Sequence, residues 1–193
     1  MANTLDNIQR MLSSIIEIND NEWEYFSKKL EVKEFKKKEL LLHADGICRN
    51  VYFVNSGLIR IFFTDKNGRE STFHFAQEYD LATDYESFLL HTPSKYYIQA
   101  LEDTQVVIIS HNLVLDGYKK LRNGEKLGRL LTEKYFILYC NKIQALYTLT
   151  PIERYRAMNK IFPFILQRVP QHYIASFLNI TSVHLSRLKN ELD

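Results

Sequence analysis

The amino-acid sequence predicts an α+β protein in which a strand-rich segment is followed by one long helix and a small helical unit. Three observations predict this order. Residues 32–110 contain short β-branched and aromatic segments separated by turn signals, as strands do. Residues 124–149 repeat apolar side chains at helical spacing without a break. Residues 171–190 fit two short helices joined by a tight turn.

The length and composition fit a compact protein with a buried core. The chain has 193 residues, of which 46% are apolar and 13% aromatic, so disordered and collagen-like chains are excluded. Its longest apolar runs, such as residues 106–109, are far shorter than the roughly 20 residues of a membrane-spanning helix. The N-terminus lacks the basic and apolar regions of an export signal. We therefore expect a cytoplasmic protein with no membrane association.

Cysteine content and charge distribution suggest a reducing compartment and an anionic partner. Cys48 and Cys140 are too few for a disulfide framework and form no Cys-x-x-Cys pair, so we expect two idle thiols. The formal net charge of the whole chain is only +2. Residues 150–193, however, hold six basic and three acidic residues. A basic C-terminal unit behind a near-neutral body is typical of nucleic-acid binding.

The first elements along the chain are two short helices, followed by strands. Residues 3–31 carry two runs of apolar side chains at helical spacing, and the second run begins at Asp20. Turn signals at residues 55–57 and 67–68 then separate β-branched and aromatic segments, which predicts a meander. Further strands follow up to residue 110, so this region is predicted to form one small β-barrel or sandwich.

The longest helical pattern covers Gly124–Leu149, within a helical region that starts after Asn112. Four residues of its apolar stripe have nearly the spacing of a coiled-coil seam: Leu127, Leu131, Tyr135 and Leu138. Because this seam lasts for less than three heptads, two interpretations stay open. The stripe packs against the chain's own barrel, or against the same helix of a second copy. Thr150 and Pro151 then begin a new helix as its cap and first residue, and we place a domain boundary there.

Residues 171–190 fit the helix-turn-helix template. The apolar core positions of the template are occupied by Ile174, Leu178, Ile180, Leu185 and Leu188. Ala175 stands where the two helices cross and only a small side chain allows close approach. Asn179 stands at the turn position that needs a left-handed backbone, and Thr181 is the expected N-cap of the second helix. The alternative is an ordinary helix pair with an Asn turn.

These features together resemble the Crp/Fnr superfamily of transcription regulators, in particular its branch common in Bacteroidetes-type bacteria. The segments that carry the resemblance are residues 35–43, 50–60, 85–89, 93–104, 150–155 and 168–178. The resemblance implies a cyclic-nucleotide-binding-like β-roll, which is a double-stranded β-helix, with flanking helices over residues 1–111. It also implies a connecting and dimerisation helix over 112–149 and a winged-helix-like helix-turn-helix over 150–193.

The resemblance also implies an effector site in the β-roll. Cyclic-nucleotide binders of the superfamily carry a Gly-Glu pair and an Arg about ten positions later, because the ribose needs a carboxylate and the phosphate a guanidinium. The corresponding run here begins at Asp84 and offers Glu86 as the carboxylate. Its Arg position falls on Ser94, or on Lys95 with a shift of one residue. We therefore expect no classical cyclic AMP or cyclic GMP response, and an unidentified small-molecule effector.

Other cofactors and catalysis find little support in the sequence. An iron–sulfur cluster needs about four Cys ligands, and the chain has two. The histidines at positions 43, 74, 91 and 111 are scattered through the strand region without the spacing of haem or metal ligands. No nucleophile elbow or phosphate loop is present. We expect no cofactor, no metal and no enzymatic activity.

Two functions of different classes follow. The first is a Crp/Fnr-type regulator that binds double-stranded DNA as a homodimer and contacts RNA polymerase. Its main base-reading residue would be Arg187, and its other candidate DNA contacts are Gln171, Thr181, Ser182, Val183, His184, Ser186 and Lys189. Val183 stands where the superfamily usually has an acidic residue. The alternative is therefore a sensory module that binds a ligand or a protein and whose helix-turn-helix has lost its affinity for DNA.

Overall fold

A computed structural model describes residues 4–190 of the chain. Its elements, in chain order, are α1 (Asp6–Ser13), α2 (Asp20–Ser27), β1 (Glu31–Phe35), β2 (Leu40–Leu42), β3 (Asn50–Ser56), β4 (Ile59–Thr64), β5 (Glu70–Ala76), β6 (Leu81–Ala82), α3 (Tyr85–Leu90), β7 (Tyr97–Ala100), β8 (Thr104–Ser110), α4 (His111–Lys120), α5 (Gly124–Thr148), α6 (Pro151–Ile161), α7 (Ile165–Arg168), α8 (Gln171–Phe177) and α9 (Ser182–Asn190). The predicted α+β class is confirmed.

The strands form two four-stranded sheets, with the orders β1-β8-β3-β6 and β2-β7-β4-β5. β8 pairs with both β1 and β3 in antiparallel register, with Ile108 opposite Glu31 on one side and Tyr52 on the other. β3 and β4 are consecutive in the chain but lie in different sheets. The predicted meander is therefore wrong at its first turn. Residues 57–58, between the end of β3 and the start of β4, carry the chain from one sheet to the other.

The helices before the first strand cover one of the two sheets. Ile8 of α1 is fully buried together with Phe53 of β3 and Val107 of β8, and Trp23 of α2 packs partly buried against this cluster. α2 begins where the sequence predicts, because Asn19 and Glu22 form a capping box. Among residues 4–190, no helix has both the length and the apolar character needed to cross a membrane.

The segment predicted as the connecting helix contains two helices, α4 and α5. The turn between them is tight, since a Cβ atom on Gly124 would lie 2.0 Å from the carbonyl oxygen of Gly117. Only glycine can begin α5 at this position. In the described residues that follow α5, every element is a helix. The predicted winged-helix-like unit therefore has no wing strand there, because the chain up to residue 190 is used for the four helices α6 to α9.

By packing, the chain divides into two units. The first consists of Met1–Ile61 and Phe75–Lys134, and the second of Phe62–His74 and Tyr135–Asp193. The second unit thus combines the facing parts of β4 and β5 with the second half of α5 and all later helices. The predicted domain boundaries at residues 111 and 149 stay predictions, because this division describes packing and falls within α5.

Candidate nucleic-acid interface and effector site

The second unit contains the predicted helix-turn-helix, formed by α8 and α9. Four of the five predicted apolar positions are buried together with Ala175, and the fifth, Ile180, is half-buried. Asn179 has a φ of 54°, in the left-handed region. The Ile180 N–H donates to the Ala175 carbonyl at 3.0 Å, and the Asn179 N–H donates to the Ser176 carbonyl at 3.1 Å. These bonds form a Schellman motif that ends α8 at the predicted turn.

The start of each helix also follows the sequence prediction. The Thr181 hydroxyl accepts a hydrogen bond from the His184 N–H at 3.1 Å, so Thr181 caps α9. Gln171 is the first residue of α8 and follows Pro170, whose side chain makes no capping bond. N–H groups in the first turn of each helix lack helical partners. Both helix starts can therefore meet a phosphate oxygen.

The candidate contacts on α9 lie on its solvent-facing side. Exposed residues are Ser182, Val183, His184, Ser186 and Arg187, and Lys189 is half-buried. Leu185 and Leu188 are buried on the opposite side. Val183 is 63% exposed although it is apolar. The orientation of α9 predicted from the sequence is therefore confirmed.

Arg154 of α6 holds the helix pair in a way that the sequence analysis missed. Its Nε donates to the Leu178 carbonyl at 3.1 Å and its Nη1 to the Leu149 carbonyl at 2.8 Å. Both carbonyls follow the last residue of a helix, where helical hydrogen-bond partners run out. In the sequence analysis, Arg154 is one of the six basic residues that indicate a nucleic-acid partner. Its guanidinium instead satisfies backbone groups inside the unit, and no local sequence signal marks that use.

In the first unit, Ser94 is part of a closed polar network. Its side chain is buried, with the residue only 2% exposed. The Ser94 hydroxyl donates to Asp84 Oδ2 at 2.6 Å and accepts from the Tyr96 N–H at 3.0 Å. Asp84 is also buried, and its Oδ1 accepts from the Ser87 N–H at 3.3 Å as the cap of α3. The position expected to hold a phosphate-binding Arg is therefore filled by a neutral hydroxyl bonded to a carboxylate.

The other two candidate effector residues lie outside this network. Glu86 and Lys95 are exposed and form an ion pair with 3.5 Å between Nζ and Oε1. The structure thus brings Ser94 together with Asp84, and it leaves Glu86 and Lys95 in solvent. The signal that could have identified Asp84 is the spacing of ten residues between it and Ser94.

The four histidines of the strand-rich region have different surroundings. His91 and His111 meet with 4.5 Å between their ring centroids in an edge-to-face arrangement. The spacing of these two residues in the sequence does not indicate this contact, which forms because the end of α3 meets the start of α4. His74 is buried in the second unit, and burial lowers its pKa to about 3. Within residues 4–190, no three His, Cys, Asp or Glu residues are grouped as a metal site.

α5 carries two apolar stripes. The four residues of the predicted seam are half-buried within the chain itself, and Tyr135 packs on Tyr139 with 6.2 Å between ring centroids. A second set is exposed instead. Its large apolar members are 53% to 86% exposed: Phe136, Ile137, Ile143 and Tyr147. Cys140 is exposed between them. The predicted stripe is thus partly buried within the chain and a second stripe is exposed, and the assignment of Leu127, Leu131, Tyr135 and Leu138 to a dimer seam stays a prediction.

Comparison with known proteins agrees with this architecture. Residues 32–120 match the family model of the cyclic nucleotide-binding domain. FixK2 from Bradyrhizobium japonicum has a similar structure, with a TM-score of 0.73 and 16% identity over 84% of each chain. The Catabolite Activator Protein of Thermus thermophilus has a similar structure too, with a TM-score of 0.59 and 16% identity over 94% of this chain and 86% of that one. No curated protein sequence matches this chain.

A third similar structure carries the name of the predicted superfamily. It is described as a transcriptional regulator of the crp/fnr family from Eubacterium rectale, with a TM-score of 0.67 and 18% identity over 89% of this chain and 82% of that one. At these identities the likeness shows the fold alone. The predicted resemblance is confirmed for the domain and the fold, and the Bacteroidetes-type branch stays a prediction.

Proposed function

We propose that this chain, in which a cyclic nucleotide-binding domain precedes a helix-turn-helix in a Crp/Fnr-type fold, is a transcription regulator that binds double-stranded DNA. The observation that carries the proposal is the α8–α9 pair. Its apolar core is buried, while α9 presents hydroxyls and a guanidinium to solvent. A recognition helix needs this division, because one side packs on its partner helix and the other enters the major groove.

The chemistry of the exposed face assigns different roles to its residues. Arg187 offers the planar fork that pairs with the N7 and O6 acceptors of guanine. Ser182, Ser186 and Lys189 suit sugar and phosphate oxygens, and so do the helix starts at Gln171 and Thr181. Val183 and His184 complete the face as further base contacts, with Val183 suited to a thymine methyl group.

Replacing Arg187 by alanine should cost about 1 to 3 kcal/mol of specific DNA affinity and relax the preference at one base pair of each half-site. The reason is the loss of a bidentate contact to one base. Selection of duplexes from a random pool measures the preference, and titration of the selected duplex measures the affinity. Arg156→Ala is the matched control, because Arg156 is exposed on α6, outside the candidate contacts. An equal loss for every duplex would show that Arg187 binds phosphate.

The salt dependence of duplex binding distinguishes the proposal from its alternative, a sensory module without DNA affinity. Neutralisation of phosphates releases counterions, so a DNA-binding protein loses affinity steeply as salt rises. We expect the wild-type chain to bind duplex DNA at micromolar protein concentration or below, with an affinity that falls steeply as salt rises. If no duplex from the pool is bound even at low salt, the chain is the sensory module.

Cyclic AMP should not bind with useful affinity. A cyclic phosphate at position 94 would meet the Ser94 hydroxyl and, behind it, the buried carboxylate of Asp84, so the site lacks a cation and contains an acid. Calorimetry with millimolar cyclic AMP should show no saturable heat. A dissociation constant in the low micromolar range would contradict this expectation, and Lys95→Ala would then test the exposed ammonium as the phosphate contact.

The exposed stripe of α5 should hold two copies of the chain together. Phe136, Ile143 and Tyr147 follow the spacing of a helix seam, and an apolar stripe of this size is costly to leave in water. Two α9 helices related by a two-fold axis would then read half-sites about one DNA turn apart.

Sedimentation at tens of micromolar should give a dimer, and Ile143→Lys should give a monomer. Glu125→Lys, at the start of α5, is the control. A wild-type monomer would contradict the dimer, and a dimeric Ile143→Lys would contradict this face.

A further inference from the structure

Lys142 of α5 places its ammonium inside the second unit. The residue as a whole is half-buried, but its Nζ lies 4.1 Å from the ring centroid of Phe177 on α8. It also lies 5.1 Å from the ring centroid of Phe73 on β5 and donates a hydrogen bond to the Phe73 carbonyl. One side chain of α5 therefore contacts both the first helix of the helix-turn-helix and the strand segment beside it.

The surroundings of this ammonium are aromatic. His74 from β5 and Tyr139 from α5 are the titratable groups of the cluster, with 5.6 Å between their ring centroids. Phe162, which follows α6, packs 6.0 Å from His74 and 6.0 Å from Phe177. His74 is neutral at physiological pH, since its pKa is about 3, lowered by burial and by the charge of Lys142. The cluster around the ammonium thus contains aromatic rings, a neutral imidazole and the Phe73 carbonyl.

The charged form of Lys142 is less well solvated at this place than in water. The two ring faces and one carbonyl return part of the hydration energy that the ammonium loses on burial. Burial lowers the pKa of Lys142 to about 7 from its usual 10.5. The amine therefore changes its charge in the neutral range while it is enclosed, and it does so near 10.5 when it is released into solvent.

A second tie between α8 and β5 does not titrate. The Ser176 hydroxyl of α8 accepts from the Thr72 N–H at 2.8 Å and donates to the Glu70 carbonyl at 3.3 Å. Lys142 and Ser176 together hold α8 on this strand. Only the tie through Lys142 depends on proton concentration.

We propose that Lys142 is a positioning residue of the helix-turn-helix, that its enclosed amine holds α8 on β5, and that protonation of this amine loosens the hold. Linkage fixes the direction: a proton binds more tightly to the released amine than to the enclosed one, so acid favours release. The attachment of α8 should weaken as the pH falls from about 10 towards 7 and level off below 7. The consequence for DNA affinity rests on the proposed function, whereas the attachment of α8 does not.

Hydrogen exchange of α8 in the full-length protein tests the attachment. After correction for the intrinsic exchange rate, protection in the wild type should rise between pH 7.5 and 9, by at most about tenfold per pH unit for one proton. Lys142→Met keeps a flexible apolar chain against the two rings and removes the charge. We expect its protection at pH 7.5 to exceed that of the wild type and to be independent of pH. Lys160→Met is the control, because Lys160 is exposed on α6.

A second variant keeps the test decisive if the first one folds poorly. Lys142→Arg retains a charge at every pH used, so α8 should be weakly protected throughout and show no pH dependence. If Lys142 had only a structural role, α8 would be less protected in both variants than in the wild type by the same factor at every pH. The variants would then keep the pH dependence of protection that the wild type shows. That result would overturn the inference.

DNA affinity measured at constant salt between pH 7 and 9 separates the two proposals. The wild type should gain affinity with pH more steeply than Lys142→Met. If no duplex is bound while α8 protection still titrates through Lys142, the proposed function fails and the positioning role stands. If DNA is bound and both variants share the wild-type pH profiles of protection and affinity, the positioning role is wrong.

Discussion

Replacing Gly57 by alanine should lower the free energy of unfolding of the first unit by at least about 3 kcal/mol, through a strained backbone and a steric clash together. Gly57 has a φ of +100°, in the region that side-chain-bearing residues rarely adopt. A Cβ atom would lie 2.5 Å from Thr104 Oγ1 and 2.7 Å from Thr104 Cα. Both the positive φ and the close approach to Thr104 therefore require glycine in the turn between β3 and β4.

Thr104 cannot move away to relieve the clash. It is buried at the start of β8, and its hydroxyl accepts from the Leu58 N–H at 3.2 Å and donates to the Glu102 carbonyl at 2.8 Å. Displacing it would break these hydrogen bonds and disturb the pairing of β8 with β1 and β3.

Gly68→Ala is the matched control for this prediction. Gly68 also has a positive φ, +76°, but a Cβ atom there meets nothing within 4 Å. Its replacement should therefore cost only the backbone strain, about 1 to 2 kcal/mol. Urea unfolding of both variants measures the difference. Equal losses for the two variants would show that the close approach to Thr104 contributes nothing.

Replacing Leu185 by alanine should destabilise the helix pair by about 2 to 5 kcal/mol. Leu185 is fully buried on α9, where it fills the core between α8 and α9. The buried residues of α9 are Leu185 and Leu188, so removing one of the two leaves a cavity in the core that holds this helix. Binding should then be lost for all duplexes alike, because the recognition helix loses its support and not a base contact.

Val183→Ala is the control on the same helix. Val183 is exposed, so its replacement should change stability by no more than about 0.5 kcal/mol. Denaturant unfolding and hydrogen exchange of α9 measure both variants. A loss below 0.5 kcal/mol for Leu185→Ala would mean that α9 is not held by this core, and the orientation assigned to its exposed face would then be wrong.

Ser94 stands where cyclic-nucleotide binders of the resembled superfamily have an Arg. An Arg at this position would face the Asp84 carboxylate from within a cyclic nucleotide-binding domain, whereas Ser94 is bonded to that carboxylate directly. Residues 32–120 match the cyclic nucleotide-binding domain, and Ser94 is hydrogen-bonded to Asp84 at the position that the sequence analysis assigned to the phosphate-binding Arg.

The local structure of the helix-turn-helix could be predicted from neighbouring residues in the chain. Asn179 at the left-handed turn, Thr181 as the cap of α9 and Ala175 at the crossing all appear in the structure as predicted. The start of α6 at Pro151, with its capping box from Thr150 to Glu153, is equally local. Capping, turn conformation and helical periodicity depend on residues within one or two turns of each other, so a pattern of neighbours is sufficient to predict them.

Contacts between distant residues could not be predicted in this way. Ser94 pairs with Asp84 and not with Glu86, and Lys142 lies between Phe73 and Phe177, two residues that are far apart in the chain. The face of α5 that stays exposed was settled in the same way, because both stripes are apolar in sequence. Such contacts depend on sheet crossovers and helix packing, which place residues many positions apart at contact distance, and the periodicity of a single segment contains no information about them.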